Sequence, residues 1–174
     1  LGFTDNIRPV MIHSQLVGQG QLSQMAQLKM IASFFVAHTY YWGDIHLKNF
    51  GTRGENISPV NSAIKAGVPV TFHQDCPVLP PNMLFSMWCA CTRKTKLGVQ
   101  LNENEKISPL EALKAVTINA AYQYFEEKEK GSIKQGKNAD FVILDTNPLK
   151  CDVDKLKDIK VMETIKAGVT VFKG

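Results

Sequence analysis

Short apolar runs separated by segments of helical spacing organise the first half of the chain. The runs cover residues 10–12, 31–37 and 68–72, while residues 21–29 carry apolar side chains at roughly helical spacing and residues 61–66 read as a short helix. Short apolar runs bounded by polar residues or glycine predict buried strands. A strand, a helix and a second strand in this order predict a parallel sheet.

Two longer helices are predicted after the third run. The first spans residues 82–97, has an apolar face that includes Met87, carries cations in its last turns and stops at Gly98. The second spans residues 109–125 and begins at Ser108, which is followed by a proline and, three positions on, by a glutamate. That order is typical of a capped helix start.

The pattern changes to β-structure at Gly131. Residues 132–137 read as a strand or turn, residues 139–145 form a dense apolar strand, and residues 161–167 and 169–172 read as two strands joined at Gly168. This tail predicts a separate small sheet.

Composition narrows the function without identifying it. The 174 residues are 44% hydrophobic and 21% charged with a net charge of +4, so one ordinary globular core is expected. No apolar run is long enough to cross a membrane, no signal peptide is visible, and no basic patch with interleaved aromatics indicates nucleic-acid binding. Because the chain opens at Leu1 and its first predicted strand follows at Val10, we expect it to be the C-terminal piece of a longer protein.

The cysteines favour a reducing cytoplasm. Cys89 and Cys91 lie in an apolar stretch and are one residue too close for a C-x-x-C metal or redox motif. Both are therefore predicted to be buried free thiols.

Three potential metal ligands follow the three predicted strands. His13, His38 and Asp75 each come at the carboxyl end of a strand, where α/β barrels place their catalytic groups. Two imidazoles and a carboxylate suit Zn²⁺ or a similar divalent ion. Taken singly, each histidine is more often a hydrogen-bonded structural residue, and Asp75 could equally cap the turn that follows it.

Several motifs carry a resemblance to a known family. They are Gly131-Ser132-Ile133, Gly136-Lys137-x-Ala139-Asp140, the apolar strand that ends at Asp145, the helix at residues 110–113 that leads to residues 116–121, and Asp75-x-Pro77-Val78. Together with the order strand-His, strand-His, strand-Asp, these motifs make the chain resemble the amidohydrolase superfamily, and more narrowly its amidohydrolase-3 branch.

The resemblance implies an α/β fold that is the C-terminal part of a (β/α)8 TIM barrel, with a small β-sandwich segment at the C-terminus. Residues 1–130 would supply barrel strands five to eight with their helices, and residues 131–174 part of the flanking composite β-sandwich. His13 and His38 would be the metal ligands from strands five and six. Asp75 would be the strand-eight carboxylate, which binds metal and handles the proton of the attacking water.

The function implied by the resemblance is hydrolysis of non-peptide, amide-type carbon–nitrogen bonds in a small-molecule substrate by metal-activated water. The cofactor would be one or two divalent ions, with zinc the first candidate. Gln74 replaces the usual Ser before the Asp, which is typical of variation between subfamilies. The family carries a His-x-His pair on its first barrel strand and a bridging Lys or Glu on its fourth, whereas this sequence contains no His-x-His pair and is expected to lack both strands. We therefore expect the isolated chain to be inactive or nearly so, and its exposed strand edges to favour homo-oligomers. The alternative is a non-catalytic binding or regulatory protein that retains the fold.

Other aromatic and titratable side chains near the strand ends are secondary candidates. Tyr40, Tyr41 and Trp42 would either line a substrate pocket or pack a long loop. His73 could face the pocket or the core, and His46 is either solvated or a substrate contact. Arg53 could bind a substrate carboxylate, although nothing local distinguishes it from a surface arginine.

Overall fold

A three-stranded parallel sheet forms the first half of the molecule. The computed structural model describes residues 7–174. Strands β1 (Val10–His13), β2 (Ile31–Phe34) and β3 (Val70–Phe72) lie in the order β1-β2-β3, and helix α1 (Gln19–Gln27) connects the first two. In register, Val10 lies opposite Ile31 and Ala32 opposite Val70. The predicted parallel arrangement is confirmed.

The second strand ends earlier than its apolar run predicts. Strand β2 stops at Phe34, and His38 begins helix α2 (His38–Tyr41) instead of ending the strand. Residues 35–37 are as deeply buried as the strand itself. Because burial makes a turn as apolar as a strand, the run alone could not locate the strand end.

The segment predicted as loops after His38 is helical, which corrects that prediction. Three short helices follow β2, namely α2, α3 (Gly43–Phe50) and α4 (Thr52–Glu55), and α5 (Val60–Lys65) leads to β3. Gly54 packs directly against the backbone carbonyl of His46, where a Cβ atom would collide. This close approach turns the chain back between α3 and α4.

Helix α6 (Met83–Thr92) is shorter than predicted because it ends at Arg93, which adopts a left-handed conformation with φ of 53°. The predicted cations of its last turns therefore lie beyond the helix. The Arg93 side chain is fully buried and donates hydrogen bonds to four backbone carbonyls. The acceptors are the carbonyl oxygens of Glu55, Ile57, Ser58 and Asn102.

The helix predicted over residues 109–125 is two helices. Helix α7 (Pro109–Val116) begins as predicted, since the Ser108 hydroxyl accepts a hydrogen bond from the backbone N–H of Glu111. Helix α8 (Ile118–Gln123) follows after Thr117, whose φ of −125° and ψ of −95° interrupt the helical backbone.

A three-stranded antiparallel sheet forms the tail. Its strands are β4 (Phe141–Leu144), β5 (Val161–Lys166) and β6 (Val169–Lys173), in that order. The predicted small sheet is confirmed, and of the two alternatives for residues 132–137, a strand or a turn, the structure has a turn at residues 135–136 and no strand. Short 3₁₀ helices occur at Glu103–Glu105 and Val153–Asp158.

The hydrophobic core lies around the parallel sheet. Phe34, Phe35 and Met87 are among its largest buried side chains. Cys89 and Cys91 are buried and free, as predicted. Among residues 7–174, no helix combines the length and the apolar character that crossing a membrane requires.

Candidate active site

The carboxyl end of the parallel sheet brings together three of the four histidines with Asp75. His13 Nε2 lies 3.8 Å from Asp75 Oδ2, and His13 Nδ1 lies 3.3 Å from His73 Nε2. The ring centres of His13 and His38 are 5.8 Å apart. The predicted ligands His13, His38 and Asp75 are therefore neighbours, and His73 faces this group from the end of β3.

Phe35 is the apolar centre of this group. Its ring lies 4.4 Å from that of His38, 5.3 Å from that of His73 and 5.9 Å from that of His13, measured between ring centres. Phe35 was predicted only as part of a strand. Its position three residues before the candidate ligand His38 was the one signal in the sequence that placed it near the site. The predicted strand that contains it is one of three whose ends carry polar residues.

The backbone at the site adopts conformations that ordinary residues rarely use. His13 has a φ of 68° and Asp75 a φ of 51°, both in the left-handed region. Such conformations persist where the surroundings hold them, and they cluster at functional sites.

The segment that carries Asp75 is held by its buried neighbour Gln74. The Gln74 side chain accepts a hydrogen bond from the backbone N–H of Asn82 at 2.9 Å and donates to Ser86 Oγ at 2.8 Å. It also donates to the carbonyl oxygen of Asn82. These bonds close the loop over residues 75–81 against the start of α6.

Burial lowers the pKa of three imidazoles in and beside the site. Burial, followed by the nearby His13, lowers the pKa of His38 to about 4, and burial also lowers the pKa of His73 and of His46. The His38 Nδ1 atom is buried and has no hydrogen-bond partner among the described residues. A neutral imidazole with an unpartnered nitrogen is a suitable ligand for a divalent metal.

The metal prediction is supported by the types of donor atom and by that unpartnered nitrogen, but the ligands are not assembled. Within residues 7–174, no three His, Cys, Asp or Glu side chains lie close enough together to hold an ion. His13, His38 and Asp75 fit a divalent metal as a partial ligand set, which further ligands would have to complete.

The predicted substrate-contact aromatics divide between two places. The Trp42 ring lies 5.1 Å from that of His38, next to the histidine group. Tyr40 packs on α6, 5.3 Å from Phe85, and Tyr41 lies 5.7 Å from the same ring. Only Trp42 of the three therefore adjoins the site directly.

His46 is half-buried on α3 and not freely solvated. Its Nε2 lies 2.6 Å from Gln15 Nε2, and its ring centre is 6.2 Å from that of His38. The sequence contained no signal for the contact between His46 and Gln15, because the helix α3 was itself predicted as a loop.

Comparison with known proteins identifies related sequences and structures. The profile described as the amidohydrolase family matches residues 1–172. An N-substituted formamide deformylase from Arthrobacter pascens is 31% identical over 163 residues, which are 92% of this chain and 30% of the relative. A putative amidohydrolase from Bacillus subtilis, YtcJ, is 25% identical over 169 residues, 94% of this chain and 32% of the relative. The chain thus spans about a third of the length of these relatives.

Solved structures share the fold. An uncharacterized metal-dependent hydrolase from Pyrococcus horikoshii superposes with a TM-score of 0.73 at 21% identity, over 84% of this chain and 30% of that one. An adenosine deaminase from Xanthomonas campestris with bound zinc gives a TM-score of 0.70 at 19% identity, over 95% of this chain and 37% of that one.

Proposed function

Because this chain belongs to the amidohydrolase superfamily, in its amidohydrolase-3 branch, we propose that it forms part of a metal-dependent hydrolase of carbon–nitrogen bonds other than peptide bonds. The observation that carries the proposal is the grouping of His13 and His38 around Phe35, with Asp75 3.8 Å from His13, at one end of the parallel sheet. These residues come from three separate parts of the sequence, and the fold makes them neighbours.

The proposed architecture has two parts. Residues 1–130 are the C-terminal portion of a (β/α)8 barrel, and residues 131–174 are part of the flanking β-sandwich. The parallel order of β1, β2 and β3 and the antiparallel order of β4, β5 and β6 support this division.

His13 and His38 are the proposed metal ligands from this chain, with Asp75 as the third. A divalent ion, when bound, polarises the substrate carbonyl and makes water a stronger acid. The low pKa of His38 keeps its imidazole neutral, so that its nitrogen lone pair is available at neutral pH. Zinc is the first candidate, and the adenosine deaminase of the same fold that contains bound zinc supports this choice.

Asp75 is the proposed proton carrier. Its side chain is 46% exposed and can therefore reach a water molecule and a substrate at the mouth of the site. The Asp75 carboxylate accepts a proton from the attacking water and returns it to the leaving nitrogen. His73 and Trp42, which border the group, would contact the substrate, while Tyr41 would support Trp42 and Tyr40 would support Tyr41.

The substrate class proposed is a small molecule with an amide-type bond. The relative named N-substituted formamide deformylase supports an amide whose nitrogen carries a substituent. Nucleic acids and membranes are not proposed as partners.

Hydrolysis by the intact protein tests the proposal. We expect Asp75→Asn to lower kcat/KM on N-substituted amides by at least about a hundredfold, the usual contribution of a positioned acid–base group. Asp158→Asn, an exposed carboxylate outside the site, should leave the activity unchanged. An Asp75→Asn variant with full activity would overturn the proposal.

The 174-residue chain alone should hydrolyse the same amides slowly or not at all, because its ligand set is partial. We also propose that it self-associates through β1 and β3, which are the outer strands of the described parallel sheet. A monomer in gel filtration would contradict the second proposal without affecting the first.

A non-catalytic binding or regulatory protein of the same fold is the second candidate. The observation that favours it is the absence of an assembled three-ligand group within residues 7–174. A His-x-His pair in sequence upstream of this chain would favour the hydrolase, and its loss from an otherwise complete barrel would favour the binder. In either case, the buried free thiols support the proposal of a reducing, cytoplasmic location.

A further inference from the structure

A cavity of about 240 Å³ lies between the loop that follows β1 and helix α4. Leu16, Val17 and Gly18 line one side of it, and Thr52, Arg53 and Asn56 line the other. Ligand sites for whole drug-sized molecules usually have volumes of about 300–1,000 Å³. The cavity is therefore large enough for one substituent of a substrate but small for an entire one.

The two sides of the cavity differ in chemistry. Leu16 and Val17 are apolar residues, whereas the opposite side includes Arg53, an exposed residue whose side chain ends in a guanidinium group. Arg53 forms no ion pair with any carboxylate of residues 7–174. A fork of N–H donors without an acidic partner, across from an apolar surface, matches a ligand with a short alkyl body and a carboxylate end.

The neighbouring polar side chain is already engaged and holds the wall in place. Asn56 Nδ2 donates to the carbonyl oxygen of Thr52 at 2.8 Å, and Asn56 Oδ1 accepts from Asn102 Nδ2 at 2.5 Å. Arg53 is consequently the charged group in the wall that remains available to an anion.

Gln15 connects the cavity to His46, the histidine beside the proposed metal ligand His38. Gln15 precedes the lining residue Leu16, and its side chain lies 2.6 Å from His46 Nε2. The carbonyl oxygen of Gln15 also accepts a hydrogen bond at 2.8 Å from the backbone N–H of Ser58, two residues after Asn56. The ring centre of His46 in turn lies 6.2 Å from that of His38, so the wall that follows Gln15 is connected to the proposed active site through His46.

We propose that this cavity is a specificity subsite for a carboxylate-bearing substituent of the amide substrate. Arg53 donates hydrogen bonds to the carboxylate, and Leu16 and Val17 pack against the alkyl chain that joins it to the amide. The link to a substrate rests on the proposed hydrolase function, whereas binding of the carboxylate to the cavity does not.

Binding of a matched pair of probes to the 174-residue chain tests the subsite. Pentanoate carries the charge and the alkyl chain, and pentanamide keeps the shape without the charge. In amide-resolved NMR titrations we expect pentanoate to shift the signals of Val17, Thr52 and Arg53 and to bind at least about fivefold more tightly than pentanamide, the effect of roughly one charge-assisted hydrogen bond.

Two charge-neutralising variants separate the cavity from general attraction of anions. Arg53→Gln should weaken pentanoate binding to the level of pentanamide. Lys48→Gln removes the same charge from an exposed position on α3 that does not line the cavity, and should change the affinity by less than about twofold. Equal losses in both variants, equal affinities of the two probes, or shifts confined to other parts of the chain would each overturn the subsite.

Activity of the intact protein distinguishes failure of the subsite from failure of the proposed function. If the subsite is correct, Arg53→Gln raises KM for 5-acetamidopentanoate and leaves its methyl ester unaffected. If the protein hydrolyses both compounds with the same KM, and Arg53→Gln changes neither KM, the subsite is refuted and the proposed hydrolase function is retained. Pentanoate binding at Arg53 in a protein that hydrolyses neither compound would refute the hydrolase and keep the binding site.

Discussion

Strands β2 and β6 have similar apolar content and opposite environments. All four residues of β2 are buried, whereas all five residues of β6 are exposed, including Val169, Val171 and Phe172. Strand β2 lies between β1 and β3, while β6 is an outer strand that pairs only with β5 within residues 7–174. A parallel sheet is normally covered on both faces, which fixes the side chains at its ends. The candidate site lies at the end of the covered sheet, where its residues can be held in place.

The same substitution in the two strands gives the largest contrast. Phe34→Ala in β2 should lower the free energy of unfolding by about 3–5 kcal/mol, since it removes a fully buried aromatic ring from the core. Phe172→Ala in β6 should cost less than about 1 kcal/mol, because half of that side chain is already exposed. Urea denaturation of both variants measures the difference. Equal losses would mean that β6 is covered in solution.

Arg93 provides the next largest effect. We expect Arg93→Met to destabilise the chain by about 3 kcal/mol, because several buried carbonyl oxygens lose their donor. Arg53→Met, the same change at an exposed position, should stay within about 0.5 kcal/mol of the original protein. If Arg93→Met lowers the free energy of unfolding only slightly, water replaces the guanidinium group and its buried hydrogen bonds contribute little to stability.

Gln74 connects stability to the placement of Asp75. Gln74→Ala should lower the free energy of unfolding by about 2 kcal/mol, because the backbone N–H of Asn82 and the hydroxyl of Ser86 each lose a hydrogen-bond partner. Amide hydrogen exchange over residues 75–81 should become faster in this variant. Gln27→Ala, on the exposed face of α1, is the matched control, and unchanged exchange in Gln74→Ala would show that other contacts hold the loop.

The smallest expected effect is a pH dependence from the ion pair between Arg8 and Glu127. The hydrogen bond from Arg8 lowers the pKa of Glu127 to about 2, while an unfolded glutamate keeps its ordinary value near 4.5. The stabilisation is therefore present above about pH 4.5 and is lost as the pH falls toward 2. Glu127→Gln should flatten this part of the curve of melting temperature against pH. If Glu127→Gln leaves the curve unchanged, the ion pair does not contribute to the pH dependence of stability.

Local patterns in the sequence predicted much of the fold. The strands β1 and β3 and the N-cap at Ser108 were recognised because neighbouring residues determine them. The end of β2 and the helices after it were missed, since apolar turns and short helices lack a distinctive period. The role of Arg93 was also missed, because its acceptors at Glu55, Ile57 and Ser58 are more than thirty positions away in sequence.

The candidate site was predicted in part for the same reason. Matched strand ends indicated that His13, His38 and Asp75 would be near one another, and the family resemblance assigned their roles. The contact of His46 with Gln15 depends on how α3 and α4 fold back over the loop after β1, and that packing leaves no periodic trace in the sequence.

Zinc titration of the intact protein tests the central claim most directly, because this chain supplies only a partial set of ligands. With a competing chelator as the readout, we expect at least one equivalent of zinc to bind, and Asp75→Asn to weaken the affinity at least about tenfold, as loss of a ligand should. Asp158→Asn, at an exposed position beyond β4, should bind zinc like the original chain. Absence of zinc binding, or equal affinities in the two variants, would contradict the assignment of His13, His38 and Asp75 as a metal-binding group.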